Sequence, residues 1–243
     1  MVQCTCGSGR LTRRPIPGSA EAPMAAEFSA RRGVLFDLDG TLTDSRIGIT
    51  RSVAYALSTY GITVEDTDSL CCFIGPPLDE SFTKYFGFPT DQAKEAVARY
   101  RDYYRERGIY ENRLYPGIRA LLADLHRTGR CVALATTKPQ IFAERICEYF
   151  GVAPDIDEVV GSEMDGRRVR KPELIECAFR RTGLTPGDAL MVGDRSLDIL
   201  GARSHGIPGI GVLYGFGDLP ELEEAGADAI APTVAALRAL LMC

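Results

Sequence analysis

Residues 34–45 read VLFDLDGTLTDS, an apolar run that delivers two carboxylates, Asp37 and Asp39, followed at once by Gly40, Thr41 and Thr43. One aspartate after a strand is ordinary turn or helix-cap chemistry. A second two residues on, with Asp194 and Asp198 in the later segment VGDRSLDI, asks for more, since carboxylates gathered in one place need a cation between them. The donors are oxygens, with no His or Cys beside them, so a hard ion fits and Mg²⁺ is the expected cofactor. Thr136 in ATTKP and Lys171 in RKPELI add a hydroxyl and an ammonium in two further segments.

These residues can meet only if the elements that carry them end at one edge. Short apolar runs at 34–37, 131–136, 156–161, 189–194, 209–213 and 228–231 read as strands. Amphipathic stretches at 117–128, 139–150, 172–182, 196–205 and 232–241 read as helices, with Gly129, Gly151, Gly183 and Gly206 at their expected ends. The alternation predicts an α/β fold, a Rossmann-like doubly wound parallel sheet. Ligands of such sheets bind beyond the carboxyl ends of the strands, where Asp37, Asp39, Thr136, Lys171 and Asp194 all fall. Between Ser45 and Tyr115 the rhythm breaks into helical periodicity alone, which predicts an inserted helical subdomain over 45–115 and a core made of 33–44 and 116–243.

Composition narrows the class. The chain has 243 residues, 45% of them hydrophobic, enough to bury one α/β core plus an insertion. Its net charge of −5 disfavours nucleic acid or an anionic membrane as the main partner, and no apolar run approaches the ~20 residues of a membrane helix. The eight cysteines include no C-x-x-C pair, and several sit in apolar segments, so reduced thiols and a cytoplasmic location are expected; Cys4 and Cys6 alone supply too few ligands for a metal. Residues 1–32, rich in Gly, Pro, Arg and Ser without a secretory apolar stretch, are expected to be a disordered extension, within which Met24 offers an alternative start. The basic and aromatic stretch RYRDYYRERGIY reads as a solvated helix face over packed tyrosines, and GIGVLYGFGD (209–218) reads as a strand and the loop after it. His126 and His205 lie away from the strand-end residues and are expected to be structural.

DLDGTLTDS, ATTKP, RKPELI and VGDRSLDI, in that order, resemble the four motifs of the haloacid dehalogenase superfamily, from Arg32 to Cys243. The helical insertion, with FIGPPLDESF at 73–82, is similar to the alpha-helical cap of its phosphoglycolate phosphatase-like and 5′-nucleotidase-like branch. The resemblance implies that Asp37 is a nucleophile toward phosphorus and Asp39 a general acid and base. It implies that Thr136 and Lys171 bind and neutralise the transferring group. Asp37, the Asp39 backbone carbonyl and Asp194 then hold Mg²⁺, with Asp198 acting through water or from behind. Gly40, Thr41, Thr137 and Arg46 are expected on the substrate. Arg195 is expected to tether its loop to a neighbouring carboxylate, and the 75–78 loop to reach over the leaving group, with Arg51 as a helper.

Asp39 argues for phosphoryl transfer over dehalogenation, because halide leaves without a proton. The expected activity is hydrolysis of a small soluble phosphomonoester, a nucleoside 5′-monophosphate or 2-phosphoglycolate first, by a monomer or weak homodimer. A phosphomutase of the β-phosphoglucomutase type is the alternative, disfavoured because DSRIGITRS offers Arg46 and Arg51 but no histidine. Phosphonatase chemistry would need a Schiff-base lysine, and Lys84 and Lys94 both read as surface residues. A phosphate-binding module without turnover is the non-enzymatic alternative.

Overall fold

The computed structural model describes residues 21–242. The chain enters through α1 (Glu21–Ser29) and passes into β1 (Gly33–Phe36), whose four residues are all buried. The two-residue strand β2 (Thr43–Asp44) leads to α2 (Arg46–Ser58), a 3-10 turn (Thr67–Phe73), α3 (Leu78–Phe86) and α4 (Thr90–Tyr103), which runs on as a π turn (Tyr104–Gly108). The chain returns through β3 (Arg113–Leu114), antiparallel to β2. Helices and strands then alternate: α5 (Ile118–Arg127), β4 (Cys131–Pro139), α6 (Gln140–Tyr149), β5 (Glu158–Ser162), α7 (Lys171–Thr182) and β6 (Ala189–Gly193). The last elements are α8 (Ser196–Ser204), β7 (Gly209–Val212), α9 (Leu219–Ala225), β8 (Ala229–Ala231) and α10 (Val234–Leu241).

Six strands make one parallel sheet in the order β5-β4-β1-β6-β7-β8. From β1 the chain builds outward through β4 and β5, then crosses to β6, β7 and β8 on the other side, so the order reverses at β1. A reversal of this kind opens a crevice at the strand ends. The register makes it a shared one: Phe36 lies opposite Leu134 on one side and Val192 on the other. Asp37, Thr136 and Asp194 therefore leave the sheet within two residues of the same level.

Both faces of the sheet are covered, which is why its strands read as unbroken apolar runs. Leu35, Ala133 and Met191 pack against Leu174, Ile175 and Ala178 of α7. Val34, Phe36, Val132 and Leu134 share the opposite cluster with Ile118, Leu121 and Leu125 of α5 and Leu237 of α10. Within the insertion, Phe73, Phe82 and Phe88 form the aromatic centre, with Phe73 and Phe82 edge to face at 5.0 Å. Tyr100 and Tyr104 are buried while Arg99, Arg105 and Arg107 are exposed, as expected for the RYRDYYRERGIY stretch.

Three segments depart from expectation. Residues 21–29, expected in a disordered extension, form α1, with Phe28 at 2% exposure in the main core. Arg130 secures it, donating to Phe28 O at 2.9 Å and to Leu241 O at 2.5 Å, and so ties α1 to the end of α10. The rest of that expectation, residues 1–20 with Cys4 and Cys6, lies outside the described residues. After the strand and loop of 209–218 comes α9, a helix that the sequence reading did not include, whose N-cap Asp218 accepts the Glu221 N–H at 2.9 Å. Finally, the β2–β3 pair joins the two connections of the helical insertion, reinforced by Arg113 donating to Asp44 at 2.8 Å.

Candidate active site

At the end of β1 the Asp37 N–H still donates to Val192 O at 2.9 Å, so the sheet ladder itself fixes this carboxylate. Carboxylate oxygens of Asp37, Asp194 and Asp198 all lie within 4.8 Å of one another, and all three residues are buried. Lys171, the first residue of α7, places its ammonium 2.7 Å from Asp37 Oδ1 and 2.6 Å from Asp198 Oδ1 and donates a hydrogen bond to Ala135 O at 2.8 Å. Burial alone would depress this lysine, but Asp198 and Asp37 outweigh it and raise its pKa.

One ammonium does not balance three carboxylates. Burial, followed by repulsion from Asp198 and Asp37, pushes the Asp194 carboxyl well above the usual range. Burial likewise raises Asp198 to about 6, against the pull of Lys171. Asp37 Oδ1 and Asp198 Oδ1 both share the single Lys171 ammonium, which leaves the three buried carboxylates short of positive charge. Three buried carboxylates gathered this closely, with one ammonium among them and no nitrogen or sulfur donor in the set, fit a hard divalent cation. Asp194 is oriented for that task by the Phe216 N–H at 2.8 Å and the Thr41 hydroxyl at 3.3 Å, and Asp198 by the Arg195 N–H at 3.0 Å.

Asp39 has a separate partner that sequence reasoning missed. Lys138 donates to Asp39 Oδ2 at 2.5 Å, and both groups are buried. The same ammonium lies 4.8 Å from the centre of the Tyr104 ring, brought in by the end of α4. Asp39 Oδ1 is left buried without a partner. A signal existed: Lys138 stands two residues beyond Thr136, within the ATTKP segment already singled out, and β4 continues through it to Pro139.

The four residues expected on the substrate have other partners here. Gly40 donates its N–H to Thr43 O at 2.8 Å, and its φ of +87° brings it so close to Asp194 that a Cβ would sit 2.1 Å from Oδ2. Thr41 supports Asp194, as above. The Thr137 hydroxyl donates to Gly75 O at 3.0 Å. Arg46 is half exposed, beside Asp44 and 5.8 Å from the Phe216 ring centre. In this arrangement Gly40 and Thr41 touch Asp194, Thr137 touches the 75–78 segment, and Arg46 lies at the rim. Thr136 is buried within β4, and its hydroxyl oxygen accepts the Lys138 N–H at 3.3 Å, a bond that does not use the hydroxyl proton. Arg51 pairs with Glu111 at 2.6 Å.

Above these groups a cavity of 390 Å³ separates the helical insertion from the sheet. Asp39 and Lys138 lie at its floor; Phe73, Pro76, Tyr100, Tyr104 and Phe142 give it apolar walls. Glu163–Gly166 in the β5–α7 connection closes one side, held by Arg101 donating to Met164 O at 3.0 Å. The 75–78 segment lines it.

The family model described as haloacid dehalogenase-like hydrolase matches residues 34–212. The chain belongs to this family. This haloacid dehalogenase-like hydrolase is 45% identical over 208 residues to a 5′-nucleotidase from Pseudomonas aeruginosa, covering 86% of this chain and 94% of that protein. It is 37% identical over 210 residues to the tyrosine-protein kinase PtkA of Mycobacterium tuberculosis, covering 86% and 72% respectively. Among solved structures it resembles the crystal structure of a predicted phosphatase from Clostridium acetobutylicum, with a TM-score of 0.84, 45% identity, and coverage of 86% and 97%. Among the hydrolase's described residues no helix is long and apolar enough to cross a membrane.

Proposed function

We propose that this hydrolase is a Mg²⁺-dependent phosphomonoesterase that works through an aspartyl-phosphate and takes a nucleoside 5′-monophosphate in preference to 2-phosphoglycolate. The observation that carries the reading is the division of labour at the end of β1: Asp37 faces a carboxylate cluster that needs a cation, while Asp39 is held apart by its own lysine.

Asp37, Asp194 and Asp198 are the side chains that would hold the ion or steady it, with the Asp39 carbonyl as a further donor. Bound there, Mg²⁺ would neutralise the phosphoryl oxygens and draw the dianion toward a site otherwise too acidic to accept it. The Asp37 carboxylate attacks phosphorus; the bond to the leaving oxygen breaks, and Asp39 supplies the proton that oxygen needs. Lys138 fixes Asp39 Oδ2, so the partnerless Oδ1 is the oxygen that carries this proton. Water then attacks the aspartyl-phosphate and yields its proton to Asp39, which releases inorganic phosphate and restores Asp37. Lys171 and the Thr136 hydroxyl meet charge on the transferring group throughout.

The preference for a nucleotide rests on the cavity. Its 390 Å³ and its aromatic and aliphatic walls suit a ring-bearing leaving group. A two-carbon acid would leave most of that space as water against apolar surface. The 5′-nucleotidase relative points the same way. A phosphate-release screen over nucleotides, sugar phosphates and 2-phosphoglycolate, with and without Mg²⁺, tests the reading. Release that needs Mg²⁺, favours nucleoside monophosphates and vanishes in Asp37→Asn supports it; turnover retained by Asp37→Asn removes the nucleophile assignment. Transfer of the phosphoryl group to a second substrate in place of water would favour the kinase or mutase chemistry of other family members.

A further inference from the structure

Two residues that each follow a residue of the candidate site donate hydrogen bonds to the loop at 74–75. Arg195, next to Asp194, donates from Nη1 to Ile74 O at 2.7 Å. Thr137, next to Thr136, donates from its hydroxyl to Gly75 O at 3.0 Å. The two acceptors are consecutive carbonyls at the end of the Thr67–Phe73 turn, immediately before Pro76 and Pro77 in the cavity wall.

Arg195 is built for this task. Its Nε donates to Glu221 at 3.0 and 3.2 Å, and Glu221 is itself held by the Ser196 N–H and hydroxyl, both at 2.8 Å. The neighbouring carboxylate expected for Arg195 is thus Glu221, and it anchors one end of the guanidinium while the other reaches the cap. A charged donor on the carbonyls that end a helical turn makes a stronger bond than a neutral one. The cap loop accommodates it at Gly75, whose φ is +105° and whose missing Cβ would lie 3.3 Å from Arg195 Cγ.

We propose that Arg195 and Thr137 form a two-point latch on Ile74 and Gly75 that holds Pro76 and Pro77 over the leaving-group cavity. Both are positioning residues: they act through the cap loop. The inference rests on the phosphatase reading for its kinetic arm only. Loosening the latch lowers the fraction of molecules closed before substrate arrives, so apparent affinity falls by that fraction, while saturating substrate restores closure.

The test uses the full chain with Arg195→Met, which keeps the stem and leaves Glu221 its serine partners, and with Thr137→Val, which keeps the branched shape. With p-nitrophenyl phosphate and Mg²⁺, KM should rise about tenfold in Arg195→Met and less in Thr137→Val, with kcat falling by a smaller factor in each. The Mg²⁺ concentration for half-maximal rate should stay within about twofold of the unsubstituted protein's. A collapse of kcat at unchanged KM, or a tenfold shift in Mg²⁺ requirement, would mean that Arg195 acts on the carboxylates and would overturn the latch. Hydrogen exchange across residues 74–82 reads the same device without turnover: faster exchange in both variants supports it, and unchanged exchange in both overturns it. If the unsubstituted protein turned over no phosphomonoester, the phosphatase reading would fail while the exchange result still decided the latch.

Discussion

Lys138 and Asp198 are the two residues whose surroundings most constrain the chemistry. Lys138 holds one oxygen of Asp39 and is itself buried against Tyr104, so removing its charge leaves Asp39 without its only fixed partner. Lys138→Met is expected to lower kcat on the order of 10²-fold with little change in KM, checked by steady-state kinetics at saturating Mg²⁺. Asp198 and Asp194 bear on stability. Their folded-state carboxyls titrate above the ordinary range, Asp198 at about 6, so between about pH 4 and 6 the folded protein binds more protons than the unfolded chain. Stability contributed by these carboxyls is present below pH 4 and lost as pH rises through 6. In EDTA the melting temperature should therefore fall by several degrees across that window, and the rise in melting temperature on adding Mg²⁺ should grow with pH. A Mg²⁺ effect that shrank from pH 5 to 7 would argue against these carboxylates as the ion's ligands. None of this pairing can be read from residue order: the Asp39 partner is 99 positions away.

At the scale of elements, the turn after β1 and the helix before it make opposite demands. The turn must bring Gly40 against Asp194 in a left-handed conformation, so Gly40→Ala would displace Asp194 Oδ2. That variant should fold but need at least about tenfold more Mg²⁺ for half-maximal rate, since disturbing what orients a ligand typically costs 10–100-fold in metal affinity. A normal Mg²⁺ titration would show that the close approach is not needed. Before β1, α1 buries Phe28 under the main core and receives Arg130. Phe28→Ala should cost about 3 kcal/mol in urea unfolding, whereas a loosely attached extension would lose almost nothing. The strands were legible because apolar runs bounded by Gly and Pro carry their own signal. α1 was not, because alanines make up most of its apolar residues and its inner face becomes core only once α10 and Arg130 are beside it. α9 carried a readable cap, Asp218 with Glu221 three residues on, but is too short for periodicity to reveal.

For the whole molecule, sheet and helical insertion meet around one cavity. The sheet contributes Asp37, Asp39, Thr136 and Asp194 at one level, and the cap contributes Tyr100, Tyr104 and the 74–77 loop above them. A leaving group that fills 390 Å³ gains contact with those walls, so kcat/KM for a nucleoside 5′-monophosphate should exceed that for 2-phosphoglycolate by at least about tenfold. Parallel kinetics on the two substrates check it, and equal values would mean the cavity does not select. The sequence by itself determined the α/β alternation, the helical insertion and the residue types at the strand ends, because apolar period and strand length are local properties that survive in any packing. Only the tertiary structure decided which side chain answers which: Lys138 for Asp39, Thr41 for Asp194, Thr137 and Arg195 for the cap loop. A side chain's partner depends on where distant segments come to rest, and four polar residues beside an active site look alike in sequence whether they hold substrate or hold the residues that do.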